Sequence, residues 1–248
     1  MSSLDLLWPA FVAGLLVTAT HAPLGMQVLA RGIVFIDLAV AQIAGLGVVL
    51  ADTLGYPPHG VVVQAAALGA ALAAALFFGW TERRWPQVQE AVIGVAFVVA
   101  ANAAILLLAA NPRGAEQLQD LLAGQILWVN PVVLPWIALV TAALLAAWFG
   151  LGARLGRTGF YLVFACAVTV SVQLVGLYLV FATLIVPALA TRGFARGRLA
   201  ACYALGALGY AGGLGLSLLA DLPAGPLVVC TMTALGAAVF LGRFRGST

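Results

Sequence analysis

Lysine is absent from this 248-residue chain, and its eleven basic side chains are all arginine. That excludes a Walker A phosphate loop, which needs Gly-Lys-Ser/Thr, and any Schiff-base lysine. Neither an HExxH zinc-protease motif nor a Gly-x-Ser-x-Gly elbow occurs, so two familiar routes to hydrolysis are missing. The three cysteines (Cys166, Cys202 and Cys230) stand far apart in apolar runs with no CxxC pair. They read as small buried hydrophobes rather than a metal or redox centre. Charge of either sign is scarce, at 8% of residues against roughly 25% in a soluble domain. The net charge of +3 says little about nucleic acid; the position of each arginine matters more.

What the chain does contain is apolar surface, with 64% hydrophobic residues in runs from end to end. The expectation is an all-α, polytopic transmembrane helical bundle, a single domain over 1–248. Its 28 glycines suit close helix packing in lipid, where small residues let backbones approach. The start, MSSLDLLWPAF, carries Asp5 and no basic stretch, so it reads as the lead-in to the first span rather than a cleaved signal peptide. Hydropathy and breakers predict about nine spans, at 6–29, 33–51, 60–80, 88–110, 131–149, 160–175, 178–191, 199–219 and 224–242.

The segment 160–191 tests that count. As one helix its ~32 residues would overshoot a ~30 Å hydrocarbon core, so two short helices meeting near Gly176 fit better. Charge agrees. With nine spans and the N-terminus outside, Arg31, Arg83, Arg84, Arg154, Arg157, Arg192, Arg196, Arg198, Arg243 and Arg245 all face the cytoplasm, and Arg113 alone lies outside.

The hairpin HAPLGMQVLARGIVFIDLAVAQIAGLG (21–47) holds the chain's most informative polar groups. Asp37 is the one acid sunk in an apolar helix, and an ionisable group inside a membrane segment marks a path for something polar by default. It lies six residues past the turn at Arg31, roughly 9 Å of helix rise, while His21 lies ten before it, roughly 15 Å. The two fall within about a turn of the same depth. A carboxylate and an imidazole together suit a borderline divalent cation such as zinc or manganese. Against this stand plainer roles: His21 bonded to a backbone carbonyl, and Asp37 capping its helix or paired with Arg31. Pro23 cannot donate to the carbonyl of Ala19, so the first span should bend or open beside His21. Gln42, about 140° round the helix from Asp37, is either a further polar contact on the path or an interhelical hydrogen-bonding group.

Elsewhere the polar signals are weaker. The loop 111–130 contains LQDLLAGQILWV (118–129), which reads as a short amphipathic helix at the outer face, with Trp128 and Trp136 as an interfacial belt. Gly209 and Gly213 form a GxxxG pair best read as ordinary packing. Asn102 and Gln173 are read as interhelical hydrogen-bonding groups, and Gln125 as a further polar residue beside the spans. His59 and Asp221 belong to external turns.

Five stretches taken together resemble the membrane subunit of the ABC importers for zinc, manganese and iron, relatives of the vitamin B12 and siderophore permeases. They are PLGMQVLARGIVFIDLAVAQIAGLG (23–47), EAVIGVAFVVAANAAILLL (90–108), DLLAGQILWVNP (120–131), VQLVGLYLVFATLIVPALATR (172–192) and DLPAGPLVVCT (221–231). The resemblance covers most of the chain in order. It implies a multi-pass permease in the inner membrane, itself no enzyme and holding no permanent cofactor. Zn2+, or Mn2+ or Fe2+, would be its transported substrate, with Asp37 as principal metal contact, His21 second and Gln42 beside them. It also implies a cytoplasmic ABC ATPase, an extracytoplasmic metal-binding protein, and a homodimer or a heterodimer with a similar permease. Two departures stand out. The family pattern sets a histidine four residues after the aspartate, where this chain has Ala41. Similar permeases also carry a longer cytoplasmic segment where only GLGARLGRTG (150–159) remains. A siderophore- or B12-like cargo, or a non-transporting membrane subunit, are the alternative readings.

Overall fold

The computed structural model of the chain describes residues 3–57, 60–108, 122 and 126–245. Among them the regular elements are helical. The helices are α1 (Ser3–Arg31), α2 (Ile36–Thr53), α3 (Val61–Arg84), α4 (Gln89–Leu108), α5 (Leu134–Val175), α6 (Leu177–Ala190), α7 (Arg198–Ala220) and α8 (Ala224–Arg245). Short 3-10 turns occupy Pro86–Val88, Ile126–Trp128 and Pro131–Val133. Eight stretches are long and apolar enough to cross a membrane, two of them within α5 (Pro131–Leu151 and Gly156–Val175). The 14-residue α6 is the short one, at about 21 Å of rise. The chain is a multi-pass membrane protein.

The expected break in 160–191 is where the sequence put it. Gly176 has φ 86°, a left-handed value that glycine takes without a Cβ clash, and it ends α5 and starts α6. The expected break at 150–159 is present too, though narrow: Gly156, at φ 57° and ψ −159°, is off helical values and divides α5 into two helices, with the two spans on either side of 152–155. The amphipathic segment 118–129 falls largely outside the described residues, as do Arg113, Gln125 and His59. Trp128 and Trp136 are both largely exposed.

The fold divides into two compact units whose segments interleave along the chain, which is why no linker shows in the sequence. One comprises 1–31, 123–145 and 174–248, with α6 against α1 and α8, and α7 against α1 and α8. Here Gly209 and Gly213 do the packing work expected of them. A methyl on Gly213 would meet the backbone of Val228, and one on Gly209 would lie 2.8 Å from Met232 Cβ, so α7 and α8 touch through bare backbone.

The other unit comprises 32–122 and 146–173, with α2 against both α3 and α4. Its buried polar centre is Gln89, at the start of α4. The Gln89 Nε2 group donates to the Phe78 carbonyl (3.1 Å) and the Tyr161 hydroxyl (3.3 Å), and its Oε1 accepts from Thr81 Oγ1 (2.9 Å). Each capacity of the amide finds a partner, which is what a buried side chain of this kind needs. Nearby Arg83 Nη2 donates to Thr158 Oγ1 at 2.5 Å, tying the end of α3 to α5.

Candidate functional site

Asp37 sits in the first turn of α2, one residue past its start at Ile36. The expected six-residue rise from Arg31 is corrected to this. Gly32 leaves α1 with φ 69° and residues 32–35 form a turn, so helix begins three residues later than hydropathy suggests. The premise of equal depth with His21 loses that rise. His21 belongs to one unit and Asp37 to the other, and each is described in its own surroundings.

The Asp37 side chain is wholly buried, and neither carboxylate oxygen has a hydrogen-bond partner among the described residues. The capping role does not describe it: no side chain caps the start of α2. A buried ionisable group without partners costs several kcal/mol. The one local compensation is the positive end of the α2 dipole, whose first turn it occupies.

His21 is also wholly buried, but it is tied on one side. Its Nδ1 lies 3.0 Å from the Val17 carbonyl and 3.0 Å from Thr20 Oγ1. A carbonyl can only accept, so Nδ1 carries the hydrogen, and in the neutral ring Nε2 is left as a bare lone pair. That Nε2 has no hydrogen-bond partner among the described residues. The plain reading of His21 therefore holds for one nitrogen and leaves the other free. This is the arrangement of a metal-ligating histidine, whose far N–H is held by a carbonyl or carboxylate.

Pro23 does not open α1, which is helical from Ser3 to Arg31. The carbonyl it strands, that of Ala19, accepts the Tyr203 hydroxyl from α7 at 3.2 Å. The bend expected to expose a polar cavity is replaced by a side-chain donor from the neighbouring helix. Gln42 is half-buried on α2. Asn102 is corrected: it is exposed and its Nδ2 donates to the Val98 carbonyl of its own helix at 2.8 Å, so it bridges no helices. Gln173 is exposed, and Asp221 lies in an exposed turn with φ 53°. Of the cysteines, Cys202 is buried, Cys166 half-buried and Cys230 exposed, which corrects the uniform burial expected for them.

One polar residue escaped the sequence reading. Glu90, the acid that opens the very apolar α4, accepts the backbone N–H of Phe35 through Oε1 at 3.2 Å. Its Oε2 is buried without a hydrogen-bond partner among the described residues. The available signal was its position, an acid immediately ahead of eighteen uncharged residues (91–108). Among the described residues no group of three or more His, Cys, Asp or Glu side chains clusters to hold a resident metal ion. Sites of that kind bind tightly; a passing ion needs fewer, weaker contacts.

The family model described as the ABC 3 transport family matches residues 3–152 and 143–242. Among solved structures, PsaBC from Streptococcus pneumoniae in complex with Fab is similar, with a TM-score of 0.75 at 21% identity over 97% of this chain and 91% of that one. An inward-facing conformation of a metal-chelate type ABC transporter is similar too. Its TM-score is 0.71 at 16% identity, over 95% of this chain and 85% of that one.

Proposed function

Because the chain belongs to the ABC 3 transport family, we propose that it is the membrane permease of an ATP-driven importer of a divalent transition metal, zinc ahead of manganese and iron. The observation that carries this is Asp37, a wholly buried carboxylate with no hydrogen-bond partner for either oxygen among the described residues, in the first turn of a largely apolar helix. A carboxylate in that state attracts a cation, and with few ligands around the ion it releases it again. In this reading Asp37 is the principal contact for the passing ion. The free Nε2 of His21 is the second contact and Gln42 a third. Ala41, where the family pattern has a histidine, is buried and offers no donor, so the ion meets few protein ligands and keeps part of its water shell.

Energy comes from a separate cytoplasmic ABC ATPase, and an extracytoplasmic metal-binding protein delivers the ion. Two permease chains, alike or merely similar, enclose the path in the inner membrane. The arginine pattern supports an N-outside, C-inside orientation. The ATPase contact is a reduced one made by Arg154 and Arg157, or it falls on the cytoplasmic turns at 81–87 or 191–198.

The test is total cellular metal, read by elemental mass spectrometry under metal limitation, in a deletion strain carrying no copy, wild type or Asp37→Ala. Loss of one metal, restored by wild type and not by Asp37→Ala at equal membrane abundance, is the expected result. It identifies the cargo. No change in any transition metal on deletion sinks the metal reading and points to an organic cargo or a non-transporting role.

A further inference from the structure

The start of α2 has no cap of its own. Phe35 stands at the N-cap position with φ −84° and ψ 2°, and its apolar side chain cannot accept a backbone hydrogen bond. The N–H groups at a helix start have no partner within the helix and must find one elsewhere. Locally the turn supplies one bond, from Ile36 N to the Ile33 carbonyl at 3.2 Å. The Phe35 N–H goes instead to a residue 55 positions away, Glu90 Oε1 on α4. That bond lies two residues before Asp37, inside the same compact unit.

We propose that Glu90 is a positioning residue for Asp37: by accepting the Phe35 N–H it holds the first turn of α2, and with it the point from which the Asp37 carboxylate meets the passing cation. The inference rests on the reading of Asp37 given above. Its physical basis is the scarcity of other constraints. The connection from α1 is a four-residue turn that opens at Gly32 with φ 69°, and among the described residues no hydrogen bond fixes the Asp37 carboxylate. A carboxylate whose rotamer is free takes its position from its backbone, and here a second helix grips that backbone by a charge-assisted bond. Glu90 brings a negative charge to the same positive helix end, so it steadies the turn without competing for the Asp37 oxygens.

The experiment uses the full chain in cells, with uptake of zinc and manganese offered in competition and rates normalised to protein in the membrane. Glu90→Ala is expected to lower uptake about fivefold, the factor that goes with losing one helix cap, and to change the zinc-to-manganese ratio. Glu90→Gln keeps an acceptor oxygen for Phe35 and is expected to stay within about twofold of wild type with the ratio unchanged. A generally loosened structure would lower both metals alike and leave the ratio where it was; that result overturns the proposal. So does a Glu90→Gln variant as impaired as Glu90→Ala, because accepting the Phe35 N–H would then not be what positions the turn. Where Glu90→Ala fails to reach the membrane, Phe35→Pro removes the same bond from the donor side at a φ proline accepts. It is expected to reproduce the ratio change, and a wild-type ratio overturns the proposal. Asp37→Ala runs alongside. If it transports normally, the reading of Asp37 falls and this one with it; if it is inactive while Glu90→Ala behaves as wild type, only the positioning role falls.

Discussion

Tyr210 and Asp37 are both wholly buried polar side chains on membrane helices, and their surroundings are opposite. In the unit that holds α1, α6, α7 and α8, the Tyr210 hydroxyl meets Thr183 Oγ1 at 2.9 Å. That threonine donates onward to the Leu179 carbonyl at 2.7 Å, and the Tyr210 ring packs against the bare backbone of Gly14. Likewise Cys202 meets Thr191 Oγ1 at 2.9 Å. In the other unit Asp37 is as deeply buried, and its carboxylate has no hydrogen-bond partner among the described residues. A satisfied buried polar group holds helices together; an unsatisfied one costs free energy and persists where something transient completes it. The contrast separates the residues that build this protein from one that it keeps for its cargo.

Substitutions can break that contrast in order of size. Tyr210→Ala should cost the most, about 3–5 kcal/mol, because it empties a large ring volume and strands Thr183. A thermal melt of the detergent-solubilised protein reads it, and a variant as stable as wild type would show that the α1–α7 contact carries little. Gly213→Ala comes next, at about 1–3 kcal/mol, since the added methyl meets Val228 backbone that has no room to give. The same melt, or cross-linking between α7 and α8, checks it. Asp37→Ala should show the smallest effect on stability, a melting temperature equal to wild type or above it, because it removes a buried polar group with no hydrogen-bond partner among the described residues. A clear fall in that temperature would make Asp37 a structural residue and erase its contrast with Tyr210.

Much of this was legible from residue types alone, and the misses have physical causes. Apolar runs located every span to within a few residues, since in lipid a helix is the one spanning form this composition allows. The break at Gly176 followed from bilayer thickness and arginine placement. The start of α2 did not, because Ile33 and Val34 are as apolar as the helix that follows, and only the backbone reveals that Gly32 opens a turn through them. The break expected at 150–159 narrowed to one residue, Gly156, because a single glycine at positive φ is enough to end one helix and start the next. His21 was half legible. Its imidazole was a candidate ligand from sequence, but which nitrogen is free depends on the Val17 carbonyl one turn back.

The sequence by itself determined that this is a helical membrane protein, roughly where its helices lie, and that Asp37 is its out-of-place charge. Those follow from composition and period, which are local properties. Tertiary structure alone decided which polar groups are satisfied: the Ala19 carbonyl stranded by Pro23 and met by Tyr203, the Gln89 amide met by Thr81 and Tyr161, and the start of α2 met by Glu90. Each of those partners lies between 8 and 184 residues away along the chain. A hydrogen bond depends on an approach of about 3 Å that no residue type encodes, and only helix packing brings the two groups to it.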